Sequence, residues 1–222
     1  MRINAYLAKA TGISRRQIDK LIQQGRVTLN DKEACVGMLV KEHDNIKIDG
    51  HSVNTPADNI LISLNKPVGY VVSRNGQGAK TIYDLLPKNF HNLKPIGRLD
   101  KDSSGLLLLT NDGKLAQSLS HPSNQKIKTY QVILDHKLKN EDKIKLKKGV
   151  KLVDGLSYLK VKIMPSGFSE SLIIDMEEGR NRQIRRTFKA LGYIVTDLHR
   201  ISFGQYKLKN LSSGKWRKED LK

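Results

Sequence analysis

Apolar residues near the start of the chain recur with the period of an α-helix. In "RRQIDKLIQQ", Ile18, Leu21 and Ile22 fall on one side at 100° per residue. Arg16 and Lys20 fall roughly opposite. This pattern predicts an amphipathic helix with a buried apolar face and an exposed basic face.

The flanking residues carry the signals of helix ends. Ser14 stands before the segment as an N-cap, and Gly25 stands where a C′ glycine belongs. An earlier helix is predicted around Asn4 to Ala10, with Leu7 facing inward. Two consecutive helices are therefore predicted before Gly25.

Alternation replaces the helical period in the segments that follow. "RVTLN" and "NIKIDG" are typical of short strands, with Ile46 and Ile48 on one face and a turn at Asn30-Asp31. Two helices and a hairpin predict a small α/β domain over residues 1–50. Its helix carries an exposed basic face.

Residues 51–59, "HSVNTPADN", are polar and lack periodicity, which predicts a linker. The remaining residues, 60–222, then form a second domain. It begins with "ILISLNKPVGYVVS", which predicts two strand segments joined by a Pro-Gly turn.

Strand patterns outnumber helix patterns in residues 60–222. "GLLLLTND" is apolar on both faces and predicts a buried strand, and "TYQVILD", "SLIIDMEEG" and "YIVTDLHRISFG" predict further strands. Helices are predicted at Gly113 to Ser120, in "LKNEDKIKLKKGV" and in "NRQIRRTFKALG". Because strands and helices do not alternate strictly, we predict an α+β fold with a mixed, largely antiparallel sheet flanked by helices.

The net charge of the chain indicates what kind of molecule the protein binds. The 222 residues contain 40 Lys and Arg against 22 Asp and Glu, a formal net charge of +18. Such an excess is expected in a protein that binds a polyanion, because phosphate contacts release counterions. A basic surface that serves only solubility is the alternative.

Several classes of protein are disfavoured by what the sequence contains. Cys35 is the single cysteine, and the six histidines are scattered without zinc-site spacing, so we expect no disulfide framework and no metal. "NGQG" at 75–78 lacks the context of a phosphate loop, and we expect no cofactor. The start lacks the plan of a signal peptide and no apolar run has the length of a membrane span, which predicts a cytoplasmic protein without membrane contact.

A carboxylate stands at the threshold of the most apolar strand. In "GRLDKDSSGLLLL", Asp100 falls just ahead of the strand, where a carboxylate that is partly removed from water requires a cation. Asp102 is the competing candidate, but Lys101 and Ser103 beside it suggest a solvated turn. Gly105 allows tight packing at the start of the strand.

The segment "EGRNRQIRR" precedes and enters a helix with two unlike faces. Ile184, Phe188 and Leu191 share one face, and the opposite face carries four cations, namely Arg182, Arg185, Arg186 and Lys189. Like charges at this spacing destabilise a helix unless an anion lies nearby. We therefore expect this face to bind a carboxylate or phosphate, with an ordinary solvated helix face as the alternative.

Residues 2–31, "RINAYLAKATGISRRQIDKLIQQGRVTLND", resemble an S4 domain, the RNA-binding module of ribosomal protein S4. A DNA-binding helix-turn-helix is the structural rival, because its recognition helix would carry the same cations. The resemblance implies an RNA-binding surface with the following candidates: Arg2, Arg15, Arg16, Lys20 and Arg26.

Four further motifs, in order, resemble the ribosomal RNA pseudouridine synthases of the RsuA/RluB/RluE/RluF family. They are "NKPVGYVVS", "PIGRLDKDSSGLLLLTNDG", "KTYQV" and "EGRNRQIRR". With the S4-like start, the resemblance covers nearly the whole chain and is closest to the RluB-like, large-subunit branch. It implies isomerisation of uridine in RNA without a cofactor, with the target base flipped out of its stack.

The resemblance also implies roles for single residues. The catalytic aspartate of the family falls on Asp100, the arginine that pairs with it on Arg185, and the tyrosine that stacks on the target base on Tyr130. Without the family, Tyr130 would be interpreted as an ordinary strand aromatic. Asp100 is then expected to attack C1′, to stabilise positive charge there, or to take a proton from C2′.

Other residues are implied to line the substrate pocket or to hold the RNA backbone. Arg98 is expected to help expel the base or to contact phosphate, Lys66 to shape a loop near the pocket, and Leu198 to pack by the base. Phosphate contacts are expected from Arg182, Arg186 and Lys189.

The sequence leaves other functions open. A synthase acting on 16S ribosomal RNA, a non-catalytic ribosomal RNA-binding assembly factor, and a DNA-binding regulator remain alternatives, the last leaving residues 60–222 unexplained. The expected partner is a structured ribosomal RNA stem-loop, and the expected state is a monomer.

Overall fold

The computed structural model describes residues 1–53, 58–166 and 169–220. Its first part is built from two helices and a small antiparallel sheet of order β2-β1-β3-β4. These elements are α1 (Ile3–Thr11), α2 (Arg15–Gln23), β1 (Val27–Leu29), β2 (Lys32–Glu33), β3 (Ile46–Ile48) and β4 (His51–Ser52).

The end signals of α2 act as the sequence predicts. The Ser14 side chain accepts a hydrogen bond from the backbone N–H of Gln17, whose own side chain accepts from the backbone N–H of Ser14. Gly25 follows the helix in the left-handed region at φ 70°. Leu7 and Ile18 are fully buried in the small core that the two helices share with the sheet.

The predicted linker is partly wrong. His51–Ser52 form β4 and pair with β3, so the first two residues of the predicted linker belong to the small sheet. Residues 54–57 of that linker lie outside the described residues. The division into domains at 50 and 60 stays a prediction.

The second part of the chain carries a larger sheet and three helices within the described residues. These elements are β5 (Leu61–Lys66), β6 (Lys94–Pro95), β7 (Ser104–Thr110), α3 (Gly113–Ser120), β8 (Lys128–Leu134), α4 (Asn140–Lys148), β9 (Val150–Leu152), β10 (Gly155–Ser157), β11 (Lys160–Ser166), β12 (Ser169–Met176), α5 (Gln183–Ala190), β13 (Val195–Phe203), β14 (Tyr206–Lys207) and β15 (Trp216–Lys218). Short 3₁₀ turns lie at Ile82–Leu85, Lys88–Phe90 and Pro122–Asn124.

The larger sheet has the order β11-β12-β8-β13-β7-β5-β15, with β6 and β14 paired to β7 and β13. β13 pairs with β7 in parallel, and the other described pairs in this sheet are antiparallel. The predicted α+β class with a mixed, largely antiparallel sheet is confirmed.

β7 is buried on both faces, as its run of leucines predicts. Leu107 and Leu109 belong to the main core, and Leu106 and Leu108 belong to a second cluster with Phe203. β7 lies between β13 and β5 in the interior of the sheet, so the residues just before it lie at the end of a central strand.

The predicted strand "GYVVS" is wrong. Only the first strand of that pair forms, as β5, and Val71 contributes a single bridge to Thr81. The segment after the Pro-Gly turn has no free strand edge beside β5, because β7 and β15 already pair with β5 on both sides.

Every helix in the described ranges is too short or too polar to cross a lipid bilayer.

Candidate active site

A cleft of about 390 Å³ opens where the loop before β7 meets the amino end of α5 and the edge of the sheet. One wall is the segment Gly97–Asp100, and the facing wall is the segment from Glu177 to Ile184. The floor comes from β8 and β13 through Lys128, Tyr130, Leu198, Arg200 and Phe203. Sheet strands that are distant in sequence thus present polar and aromatic side chains to one open cleft.

Asp100 lines this cleft from the turn that leads into β7. Its side chain is 37% exposed, and the nearest cation is Arg182, whose Nη1 lies 3.5 Å from Oδ2. The turn is held from behind, because the backbone carbonyl of Asp100 accepts a hydrogen bond from Ser103 at 3.1 Å. Gly97 begins the segment at φ 72°, a conformation that favours glycine.

Asp102, two residues later, receives the stronger ion pairs. Arg182 donates to both of its carboxylate oxygens, at 2.9 and 2.7 Å, in a two-pronged contact. Arg185 Nε lies 3.3 Å from the same carboxylate, and Arg185 Nη2 donates to the backbone carbonyl of Asp102 at 2.7 Å. The hydrogen bonds from Arg182 hold the pKa of Asp102 below its usual value, and the charge of Arg185 acts in the same direction.

The predicted ion pair between Arg185 and Asp100 is therefore corrected. Arg185 instead ties Asp102 to β13, because its Nη1 donates to the carbonyl of Val195 at 2.7 Å. Arg182, which the sequence assigned to phosphate, is the arginine that reaches both aspartates. Helical spacing placed both side chains on one face but could not say which of the two would reach the turn.

The structure supplies the carboxylates that the basic face of α5 is expected to bind. Arg186 makes a two-pronged contact with Asp154, at 2.9 and 2.8 Å, from the β9–β10 hairpin. Arg180 contacts the same aspartate and also Glu178. Lys189 lies exposed on the last turn. The acidic partners come from distant parts of the chain, which no local pattern reveals.

Lys66 lies beneath the cleft and does not line it. Its side chain is fully buried at the end of β5, where Nζ donates to the carbonyl of Ser103 at 2.6 Å and to that of Pro67 at 2.9 Å. Burial lowers the pKa of Lys66 to about 8, although the charges of Asp102 and Asp100 oppose the shift. Lys66 thus holds the loop that carries both aspartates.

Tyr130, Leu198 and Arg98 all line the cleft. Tyr130 and Leu198 are 8% and 6% exposed and pack in the main core, so each presents one edge to the cleft. Arg98 is exposed at the mouth. The structure thus brings these three residues to Asp100, whereas Arg185 and Lys66 act behind the wall.

Sequence reasoning missed Arg200. Its side chain is almost fully buried, Nε donates to the carbonyl of Leu106 at 2.7 Å, and the guanidinium lies 6.0 Å from the ring centre of Tyr130. The backbone of β13 approaches β7 closely at this point, where a Cβ on Gly105 would lie 2.3 Å from the Arg200 carbonyl oxygen. Arg200 follows Leu198 by two residues in a strand, so both side chains point to the same buried face. This alternation was the signal in the sequence that could have identified Arg200.

Lys128 is a second cation at the floor. Its Nζ donates to the carbonyls of Glu177 and Glu178, each at 3.2 Å. Burial lowers its pKa, and the charge of Arg200 adds to that shift. The cleft therefore joins Asp100 at one wall to an aromatic floor with positive charge around it.

The predicted RNA-binding residues of the first part lie at its surface. Arg2, Arg15, Arg16 and Lys20 are exposed. Arg26 is instead clasped by Asp49, with contacts of 2.7 and 2.6 Å, which holds the end of α2 against the turn after β3. Among the described residues, His, Cys, Asp and Glu side chains form no group of three or more that could hold a metal ion.

Two family models match the chain. The model described as "RNA pseudouridylate synthase" matches residues 60–190, and the S4 domain model matches residues 1–46. The first match runs from β5 to α5 and includes the cleft residues other than Leu198, Arg200 and Phe203 of β13.

Relatives similar over nearly the whole chain include an RNA pseudouridine synthase of Aquifex aeolicus (strain VF5), which is 37% identical over 98% of this chain and 89% of its own. Ribosomal large subunit pseudouridine synthase B of Yersinia pestis is 36% identical, over 100% of this chain and 73% of its own. The dual-specificity RNA pseudouridine synthase RluF of Escherichia coli (strain K12) is 36% identical, over 98% and 74%.

Among solved structures, one titled "Crystal structure of pseudouridylate synthase" superposes with a TM-score of 0.70. It is 28% identical and covers 99% of this chain and 96% of its own. The architecture of both parts of the chain is thus shared with that protein.

Proposed function

The chain belongs to the RNA pseudouridylate synthase family, and on that premise we propose that it isomerises a uridine in ribosomal RNA of the large subunit. The names of relatives such as the large subunit synthase B of Yersinia pestis support the choice of RNA. A ribosomal RNA substrate would place the protein in the cytoplasm, and we expect it to act as a monomer.

The observation that carries the proposal is the meeting of Asp100 and Tyr130 in one cleft. The reaction breaks the bond between C1′ and N1, turns the uracil, and joins C1′ to C5. The proton on C5 is lost and N1 gains one, so the product is an isomer and needs neither oxidant nor cofactor. A carboxylate beside an electron-poor anomeric carbon serves such chemistry.

The residues that line the cleft have different roles in the proposed reaction. Asp100 acts on the sugar, by attack at C1′, by stabilising charge there or by taking the C2′ proton. Tyr130 stacks on the flipped uracil, and Leu198 packs beside it. Arg98, exposed at the mouth, contacts the leaving base or a phosphate.

Arg182, Arg185 and Lys66 are positioning residues in this proposal. They bind Asp102 and the carbonyls of the same turn, and so fix the direction of Asp100. Flipping a stacked uridine costs a few kcal/mol, which contacts to the RNA backbone must offset. A preformed turn reduces the cost of aligning the carboxylate once the base has entered.

The test is Asp100→Asn in the full chain. We expect the variant to form no pseudouridine in ribosomal RNA fragments while binding them about as tightly as the wild type, because Asn keeps the shape and loses the charge. Conversion is measured by tritium release from [5-³H]uridine RNA. Pseudouridine formation by the Asn variant would overturn the role of Asp100.

Mapping of pseudouridine in ribosomal RNA from cells with and without the protein identifies the target. A site that disappears from the large-subunit RNA is the expected result. Loss of a site in small-subunit RNA, or of none, would contradict the proposed substrate.

A further inference from the structure

A second concavity, of about 710 Å³, lies between the first two helices and the body that carries the cleft. On one side it is lined by α1 and the start of α2, and on the other by β6, the end of β7 and the start of α3. We call it the junction groove. Its basic lining residues are Arg2, Lys9, Arg15, Lys94 and Lys114.

The groove is closed at one side by a contact between the two parts of the chain. Arg15 Nη2 lies 3.3 Å from the position that a Cβ on Gly113 would occupy, so the start of α2 reaches the start of α3. Gly12, at the end of α1, faces Asn92 at a similar distance. The cations of both parts therefore face one space.

The charges at the groove are not neutralised within the part of the chain that the structure describes. Arg15 and Lys94 form no ion pair there, and neither does Arg74, which adjoins Lys94 in a smaller concavity. Arg74 lies 4.9 Å over the ring of Tyr83 and is held close to Lys94. Burial lowers the pKa of Lys94, and the charges of Arg74 and Arg15 lower it further.

Asp112 is the carboxylate that lines the groove, and its oxygens are already used. Oδ1 accepts hydrogen bonds from the backbone N–H groups of Lys114 and Leu115 at the start of α3. Oδ2 accepts from the Asn59 side chain at 3.0 Å. Like charges held together at a partly buried surface cost free energy that an incoming anion would recover.

The groove and the catalytic cleft are joined by two short elements. The segment 94–100 has Lys94 in the groove and Arg98 and Asp100 in the cleft. Helix α3 has Lys114 in the groove and Ser120 in the cleft. A polymer that lies along these elements would contact both sites at once.

We propose that the junction groove binds the sugar–phosphate backbone of the RNA whose target uridine enters the cleft, with phosphates on Arg15, Lys94 and Lys114. The inference rests on the proposed function, because it takes RNA as the substrate. The contacts carry no base sequence information; they set the register of the strand relative to Asp100. The two parts of the chain thereby grip one continuous stretch of RNA.

The test measures affinity for a large-subunit ribosomal RNA hairpin at a series of KCl concentrations, with the full chain. Each lost phosphate contact lowers the slope of log Kd against log salt by about one. We expect that decrease for Arg15→Gln and for Lys94→Gln, and a decrease of about two for the double variant. Lys94→Arg keeps the charge and is expected to keep the wild-type slope.

Lys147→Gln is the matched control, because it removes one exposed lysine from α4. That helix packs on β11, at the end of the large sheet opposite β5 and the groove. An unchanged slope in the Arg15→Gln, Lys94→Gln double variant would overturn the inference. A decrease in Lys147→Gln as large as that in Arg15→Gln or Lys94→Gln would also overturn it.

The same RNA separates this inference from the proposed function. If the wild type binds the hairpin but forms no pseudouridine in any ribosomal RNA, the proposed function fails. If the wild type forms pseudouridine while the groove variants bind with the wild-type slope, only the groove inference fails.

Discussion

The basic face of α5 and the junction groove both carry Arg and Lys side chains, but the two regions use them differently. On α5, Arg182 and Arg186 are each clasped by an aspartate from a distant loop. At the groove, Arg15 and Lys94 face one another without such a partner among the described residues. One region is neutralised inside the chain, and the other keeps its charge for something outside it.

Whether an arginine has an acidic partner indicates its role better than the presence of the arginine alone. A paired guanidinium has a fixed geometry and can hold a loop, as Arg182 holds the turn with Asp100 and Asp102. An unpaired one keeps its attraction for phosphate, and phosphate contacts supply a large share of nucleic-acid affinity. We therefore expect damage to α5 to appear in the rate of reaction, and damage to the groove to appear in binding.

Asp102→Asn breaks the neutralised side of this comparison and carries the largest expected effect. Arg182 and Arg185 would lose the carboxylate that fixes them, and Asp100 would lose its direction. A displacement of about 1 Å at a reacting group can cost about 100-fold in rate, and we expect a decrease of that order in the single-turnover rate. The measurement is tritium release at saturating RNA.

Asp31→Asn is the control for this variant, because Asp31 pairs with Lys47 at an exposed turn far along the chain from the cleft. Its φ of 61° suits asparagine. We expect it to keep the wild-type rate. A wild-type rate in Asp102→Asn would show that the clasp has no part in aiming Asp100.

The local features of both regions could be predicted from the sequence. The two ends of α2, the bounds of α3 and the buried strand β7 follow from capping residues and periodicity, since these depend on neighbours a few positions away. The resemblance to a known family brought Asp100, Tyr130 and Leu198 together before the structure did. The pairing of Arg182 with Asp102, 80 residues apart, could not be predicted, because it depends on how the sheet brings the two loops together.

The junction groove was out of reach for the same reason. Arg15 was predicted to bind RNA as one exposed residue of a helix, but Lys94 and Arg74 lie in segments without a basic pattern. Lys94 lies beside Arg74 in the second part of the chain, and the contact of Arg15 with the start of α3 brings a third charge to them. Arg200 shows the opposite failure, since its buried position followed from strand alternation and was overlooked.

Lys66 is a third kind of cation beside the paired and the unpaired ones. It is buried and donates to backbone carbonyls, without a carboxylate partner at hydrogen-bond distance among the described residues. In the unfolded chain its pKa is 10.5 and in the folded protein about 8. Between these values the unfolded state holds the proton and the folded state does not, so this group makes the free energy of unfolding rise with pH. The contribution to the slope is at most about 1.4 kcal/mol per pH unit.

Lys66→Met removes that contribution. We expect the free energy of unfolding, from urea titrations between about pH 8 and 10.5, to rise less steeply in Lys66→Met than in the wild type. Lys147→Gln, with an exposed lysine removed, is expected to follow the wild type. Parallel curves for the wild type and Lys66→Met would mean that Lys66 stays charged in the folded protein.

Arg186→Gln tests the comparison where the smallest effect is expected. The sequence predicts that Arg186 contacts phosphate, whereas its two-pronged contact with Asp154 commits the guanidinium to the β9–β10 hairpin. Because solvent screens this partly exposed pair, its loss should cost little stability. We expect the salt slope of RNA binding to stay at the wild-type value, in contrast to Arg15→Gln. If instead the slope falls by about one in both variants, Arg186 exchanges Asp154 for phosphate when RNA binds, and the pairing seen in the free protein does not separate the two regions.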